Sequence, residues 1–421
     1  MAKDTKLYDV EKTGERVILV AVEEDGVDAD SFLNELEELV YTAGAFTVGR
    51  VIQKREKRHP GHYVGKGKVE EIKVLIAATD ATGIICDDEL SPAQMRNLEE
   101  MLDTKVMDRT MLILDIFASR AFSNEGKIQV ELAQLKYRLT RLSGQGTSLS
   151  RLGGGIGTRG PGEKKLESDK RYIKDRILEL EKSLKDIQTH RELLRSGRQR
   201  RGIINVSLVG YTNAGKSTLL NRLTDAGVLA ENKLFATLDT TTRILKLPAG
   251  TEILLTDTVG FIRKLPHHLI RAFRATLEEM KYADILLHVV DASNIDRQEQ
   301  MVTVYDTLKE LGCDHTPVIT VYNKMDRNVE LPLTRDFNAR YEARISALEG
   351  NGIEGMLLTI EKLINSFKKD IEVLIPYSDG KTASMIYARC EIISEEHTET
   401  GIKLKLSADD EMEKRLENYL I

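Results

Sequence analysis

The sequence predicts a multidomain α/β protein: an N-terminal α/β domain with a helical hairpin, a domain built on a mostly parallel sheet with helices on both faces, and a small C-terminal α+β domain. Three observations predict it. Apolar runs of strand length alternate with helix-like stretches between residues 203 and 365, the pattern of a parallel sheet. Two stretches between residues 123 and 200 repeat apolar residues every three or four positions, the spacing of paired helices. A chain of 421 residues also has room for several cores. The expected boundaries are 1–122, 123–200, 201–367 and 368–421.

At the start of the chain, residues 16–22 and 83–86 read as strands. Residues 31–43 and 91–102 read as helices, the second opened by Ser91-Pro92. An α/β domain results.

In the hairpin, Ile128, Leu132, Leu135, Leu139 and Leu142 are spaced four, three, four and three. Leu166, Ile173, Ile177, Leu180, Leu184 and Ile187 continue a seven-residue pattern in a second segment. Two antiparallel helices are the simplest solution, the second about 30 residues and ~40–45 Å long. The connecting tip, residues 143–162, is too glycine-rich to build a core. Within it Arg151, Arg159 and the backbone at Gly153, Gly154 and Gly155 are candidate RNA contacts. Gly153–Gly157 as a second nucleotide loop, or the tip as a pure linker, are the competing readings; no Lys-Ser pair follows those glycines.

Charge singles out the same block. From Lys136 to Arg201 there are 18 Lys plus Arg and 8 Asp plus Glu, a local +10 that leaves −16 for the rest of a chain whose net charge is −6. A basic module on an acidic protein suits a polyphosphate partner, although a solvated helical surface is the bland alternative.

The apolar run 203–209 delivers Gly210, Tyr211, Thr212, Asn213, Ala214, Gly215, Lys216 and Ser217, and a helix-like stretch follows from Thr218. Strand, glycine-bounded loop and helix in that order form a phosphate cradle. Backbone N–H groups face the anion, Lys216 reaches the β- and γ-phosphates, and Ser217 supplies a hydroxyl to Mg²⁺. The run 253–256 then delivers Asp257, Thr258, Val259 and Gly260. Asp257 is expected on the metal side, holding a Mg²⁺-bound water, and Gly260 as a γ-phosphate sensor. The run 318–322 delivers Asn323, Lys324, Met325 and Asp326. Asp326 can accept two hydrogen bonds from guanine that adenine cannot supply, so GTP and GDP are the expected ligands. Ser346, Ala347 and Leu348 follow a further strand-like run and are candidates for the guanine O6.

Between cradle and Asp257 lies a Thr-rich loop containing Phe235, Ala236, Thr237, Leu238 and Asp239. It must supply the threonine that closes over Mg²⁺; Thr237 is the choice and Thr241 the second. After Gly260 comes Phe261, where Ras-like GTPases carry a glutamine that orients the attacking water. A phenyl ring cannot do this, so intrinsic hydrolysis is expected to be slow. Asn213 either helps hold a K⁺ ion that offsets charge at the γ-phosphate, as in several GTPases lacking that glutamine, or braces its own loop. Lys216, Thr237, Gly260 and Asn213 are thus the catalytic candidates.

The remaining chain carries less. Strands at 371–376, 390–394 and 401–406 around a helix at 382–388 make the C-terminal appendage. Cys86, Cys313 and Cys390 are too few and scattered for a disulfide framework, which indicates a reducing, intracellular setting. His59, His62 and His190 lack metal-ligand spacing. No signal peptide or 18-residue apolar run is seen, so membrane insertion is not expected.

Several stretches together resemble the HflX family of bacterial GTPases. They are Val64–Ile72 (VGKGKVEEI), Glu89–Gln94 (ELSPAQ), Asp108-Arg109-Thr110, Gln129–Leu135 (QVELAQL), Gly153–Glu163 (GGGIGTRGPGE), Phe235–Asp239 (FATLD) and Asp257–Ile262 (DTVGFI). The similarity covers about residues 9–367 and departs at Thr240, where the family usually has proline. The resemblance implies a cytoplasmic factor, monomeric off the ribosome, that binds the large ribosomal subunit and in its GTP form splits stalled or idle ribosomes. It further implies that the N-terminal domain and hairpin enter near the peptidyl-transferase region with the glycine-rich tip on ribosomal RNA. Two other classes remain: an RNA chaperone or helicase-like factor with separate ATP use, and a GTP-regulated switch that captures a protein.

Overall fold

The computed structural model describes residues 14–24, 28–149, 161–199, 203–224, 234–235, 238–264, 278–327, 335–408 and 410–421. Among them lie three sheets.

The first sheet is parallel throughout, in the order β2-β1-β3-β4. Its central strand β1 (Arg16–Glu23) is apolar on both faces and buried on both, as a parallel strand covered by helices requires. Its partners are β2 (Phe46–Lys54), β3 (Gly83–Cys86) and β4 (Lys105–Asp108). Four helices accompany them: α1 (Ala29–Thr42), α2 (Lys66–Thr79), α3 (Pro92–Leu102) and α4 (Arg109–Arg120). Ser91 closes a reciprocal capping box with Gln94 at the start of α3, which satisfies two orphan N–H groups of that helix. The expected strands and helices are present. β2, α2, β4 and α4 are additional, two of them lying in charged or glycine-containing stretches without clean periodicity.

The rod follows: α5 (Asn124–Leu149) and α6 (Pro161–Gln199). Leu132, Ile173, Ile177, Leu180 and Leu184 are buried along the seam, with Ile128, Leu135, Leu139 and Leu142 packed against them. Ion pairs from Arg176 to Glu131, Lys136 to Glu181 and Arg191 to Glu125 cross between the helices. The second helix is longer than expected: 39 residues, or ~58 Å at 1.5 Å per residue. Both helices also run into the expected tip, because residues 143–149 continue α5 and α6 opens with Pro161 at its first position, where proline is favoured. Arg151, Gly153, Gly154, Gly155 and Arg159 lie outside the described residues.

The second sheet has the order β10-β9-β8-β5-β7-β6 and is parallel except at its β6 edge. In chain order its strands are β5 (Ile204–Val209), β6 (Thr241–Lys246), β7 (Glu252–Asp257), β8 (Ile285–Asp291), β9 (Val318–Asn323) and β10 (Tyr341–Arg344). Helix α7 (Lys216–Thr224) follows β5, α8 (Arg297–Glu310) follows β8 and α9 (Ile353–Asn365) follows β10. The third sheet is antiparallel: β11 (Lys369–Pro376), β13 (Gly401–Ala408) and β12 (Glu391–His397), with helices α10 (Gly380–Arg389) and α11 (Asp410–Arg415).

One apolar cluster joins the first two sheets. It runs from Leu33 and Leu36 of α1 and Phe117 of α4, through Leu234, Phe235, Leu238, Phe261 and Ile262, to Leu286 and Val304. The segments flanking the phosphate cradle therefore sit between the two sheets, inside shared core.

Candidate phosphate and guanine site

The cradle turns from the end of β5 into α7. Gly215 has φ +98° and a Cβ there would lie 2.2 Å from Asn323 Nδ2, so only glycine fits. Asn213 also takes the left-handed region, at φ +59°, which asparagine tolerates better than most residues. Lys216 is buried, and its Nζ donates to the carbonyls of Gly210 at 3.0 Å and Tyr211 at 2.8 Å. Burial pulls its pKa down to about 8.

Beside it, the Ser217 hydroxyl donates to Asp257 Oδ2 at 2.8 Å. A hydroxyl and a carboxylate side by side form the oxygen-only donor set a hard divalent cation takes, so these residues fit Mg²⁺. Thr258 is fixed by its hydroxyl on the Leu208 carbonyl at 2.6 Å, and Val259 is buried in the shared apolar cluster.

Gly260 lies against the cradle, where a Cβ would come 2.8 Å from Thr212 Cα and 3.0 Å from Lys216 Nζ. The backbone locks this approach. Thr212 N–H donates to the Phe261 carbonyl at 2.7 Å, and Phe261 N–H to the Gly210 carbonyl at 3.1 Å. The Phe261 ring is buried, consistent with its having no part in orienting water.

At the other end, Asn323 ties two loops: its Nδ2 donates to the Ala214 carbonyl at 2.9 Å and its Oδ1 accepts from Ala347 N–H at 2.9 Å. Lys324 pairs with Asp291 at 2.7 Å, and Met325 N–H donates to the Ile345 carbonyl. Ser346 Oγ donates to Asp326 Oδ1 at 2.6 Å. Leu348 is exposed.

The sequence reading placed the Thr-rich loop with the nucleotide. Ala236 and Thr237 lie outside the described residues, and Thr241 is the first residue of β6, paired opposite Asp257. Phe235, Leu238 and Asp239 are engaged elsewhere in this structure. Phe235 meets the Phe117 ring edge-on at 4.7 Å and Leu238 is buried beside it, because apolar side chains find more burial on α4 than on a phosphate. Asp239 accepts from the backbone N–H groups of Phe122 and Ser123 at 3.0 and 2.8 Å and from Ser123 Oγ at 2.5 Å, at the threshold of α5. A carboxylate there satisfies orphan donors and the helix dipole together.

Sequence reasoning missed a charged network that follows Phe261. Arg263 N–H donates to Tyr211 Oη at 2.8 Å, and Tyr211 Oη donates to Glu35 of α1. Arg109, fully buried, pairs with Glu35 and with Asp87 and donates to the Arg263 carbonyl at 3.2 Å. Lys264 Nζ reaches Asp87 at 2.5 Å and Asp88 at 2.9 Å. The available signal was positional: Asp87, Asp88 and Arg109 directly follow β3 and β4, the strand ends at which open parallel sheets gather function.

Comparisons with known proteins agree with this geometry. Residues 30–118 match the family described as GTP-binding GTPase N-terminal, residues 120–198 that described as GTP-binding GTPase Middle Region, and residues 205–324 that described as 50S ribosome-binding GTPase. Among curated proteins, GTPase HflX of Lacrimispora saccharolytica is 59% identical over 399 residues, covering 94% of each chain. GTPase HflX of Caldanaerobacter subterraneus is 49% identical over 97% of this chain and 94% of its own. GTPase HflX of Escherichia coli is 41% identical over 94% of this chain and 93% of its own.

Proposed function

The chain belongs to the HflX family of GTPases, and from that premise we propose that it is a cytoplasmic factor that binds the large ribosomal subunit and dissociates stalled or idle ribosomes, with GTP ordering the loops that couple site and rod. It hydrolyses GTP to GDP and phosphate.

The chemistry assigned to each residue follows from where it sits. The cradle amides and Lys216 hold the β- and γ-phosphates, and Asp326 selects guanine. Ser217 and Asp257, with Thr237 from the loop, would hold Mg²⁺, which when bound neutralises charge on the β- and γ-phosphate oxygens. Gly260 N–H senses the γ-phosphate. Asn213 would contact a K⁺ ion. The Phe261 ring supplies neither a base nor a hydrogen bond to water, so the free protein turns over slowly.

The observation that carries the ribosomal reading is the Asp239 carboxylate at the threshold of α5, on Phe122 and Ser123. It joins the loop that reports on the nucleotide to the first helix of a rod whose 136–201 stretch carries the local charge of +10. A γ-phosphate that draws the Thr237 segment inward therefore acts on the rod through two residues of chain. The family description of residues 205–324 supports the same partner.

The test is sucrose-gradient sedimentation of the protein with 70S ribosomes. With a non-hydrolysable GTP analogue the protein should travel with the large subunit and the 70S peak should fall; with GDP both effects should be lost, and Lys216→Ala should fail in either. Co-sedimentation that is independent of nucleotide, or an intact 70S peak with GTP, sinks the proposal.

A further inference from the structure

Thr212 is the odd residue of the cradle. It is buried, and its hydroxyl has no hydrogen-bond partner among the described residues. The hydroxyls of Thr47, Thr110 and Ser207 share that condition, but of the four only Thr212 belongs to the phosphate loop. Orphaned buried hydroxyls are uncommon and call for an explanation, of which a ligand that supplies the acceptor is one. Position says which ligand. The Thr212 Cα and Cγ2 atoms lie 2.8 and 2.9 Å from where a Cβ on Gly260 would stand, and Lys216 Nζ lies 3.0 Å from the same point. Thr212, the γ-phosphate sensor and the phosphate lysine thus converge on one spot.

We propose that the Thr212 hydroxyl donates a hydrogen bond to a γ-phosphate oxygen of GTP, a contact that GDP cannot offer, and so supplies charge stabilisation in a site whose glutamine position holds Phe261. This rests on the GTPase reading above. In the reaction the water oxygen bonds to the γ-phosphorus while the bond to the β–γ bridging oxygen breaks. The electron pair of that bond stays on GDP, and both water protons leave with the phosphate product as H2PO4−. Thr212 keeps its proton throughout. Its donation strengthens as negative charge redistributes over the transferring group, which makes it a contact worth more in the transition state than in the ground state.

Thr212→Val and Thr212→Ser in the full-length chain test this. Valine keeps the β-branched shape and removes only the orphan, so the nucleotide-free protein should unfold at the same temperature as wild type or higher. GDP affinity should change less than about twofold, whereas affinity for a non-hydrolysable GTP analogue and the rate of GTP hydrolysis should each fall roughly tenfold or more, the range for a hydrogen bond to a charged partner. Serine should recover most of the lost GTP-to-GDP preference. The proposal is overturned if valine leaves that preference and the hydrolysis rate unchanged, or if it weakens GDP and the GTP analogue equally. Failure of the wild-type protein to bind either guanine nucleotide would instead overturn the reading of the site as a whole.

Discussion

His288 shows how a single residue in the β8 core ties stability to pH. It is wholly enclosed, its ring meets Tyr305 edge-on at 5.1 Å, its Nδ1 has no hydrogen-bond partner among the described residues, and burial pulls its pKa from 6.5 down to about 4. Between pH 6.5 and 4 the unfolded chain takes up a proton here that the folded chain refuses, so the folded state loses stability as pH falls through that window, by on the order of 3 kcal/mol in all. His288→Leu should remove that share of the acid sensitivity. Urea unfolding of both proteins at pH 7 and pH 5 reads it, and equal losses in the two would show that His288 is not the group responsible. Nothing in the sequence marked this histidine, because its burial depends on α8 crossing β8 and no spacing encodes that crossing. The cradle residues were legible for the opposite reason: phosphate and guanine fix the residue types and their order along the chain. Asp239 was legible only as part of a loop. Its partners, Phe122 and Ser123, lie more than a hundred residues earlier, and local pattern cannot reach across that distance.

Among the elements, the paired helices were the easiest to read and the first sheet the hardest. A heptad seam repeats over many turns, so chance cannot imitate it. β4 has only four residues and the burial of β2 follows no simple alternation, so neither was read in advance, although the equally short β3 was; such strands owe their pairing to the helices around them. The junction between loop and rod yields a prediction at this scale. Asp239→Ala leaves the N–H groups of Phe122 and Ser123 without their carboxylate, and loss of such a cap costs about 1 kcal/mol of local stability. Hydrogen exchange should therefore quicken over the first turn of α5, from Ser123 to about residue 128, while the amides of β5 and β8 keep their protection. If the first turn of α5 exchanges as slowly in the variant as in the wild type, the carboxylate does not hold that helix in place.

On the scale of the whole molecule, charge and core are laid out along different lines. Apolar contacts unite the two large sheets through Phe235, Leu238 and Phe261, an arrangement no sequence window could reveal because its members lie on segments far apart. Charge, by contrast, is a sum along the chain, and the surplus of +10 was countable at once. The structure leaves Arg171, Lys174, Lys182 and Lys185 of α6 exposed to solvent, where they are free to meet phosphates rather than carboxylates of the same chain. If they do, each phosphate neutralised releases counterion, and the logarithm of the binding constant should fall linearly with the logarithm of salt concentration, with a slope of roughly −0.7 to −0.9 per contact. Changing all four to glutamine should then weaken association with the large subunit and flatten that slope by as much as about three units, with the thermal midpoint of the free protein unmoved because none of the four is buried. A slope that stays as steep as wild type would mean that this face of α6 looks away from the nucleic acid, and that the rod meets the ribosome through some other part of its surface.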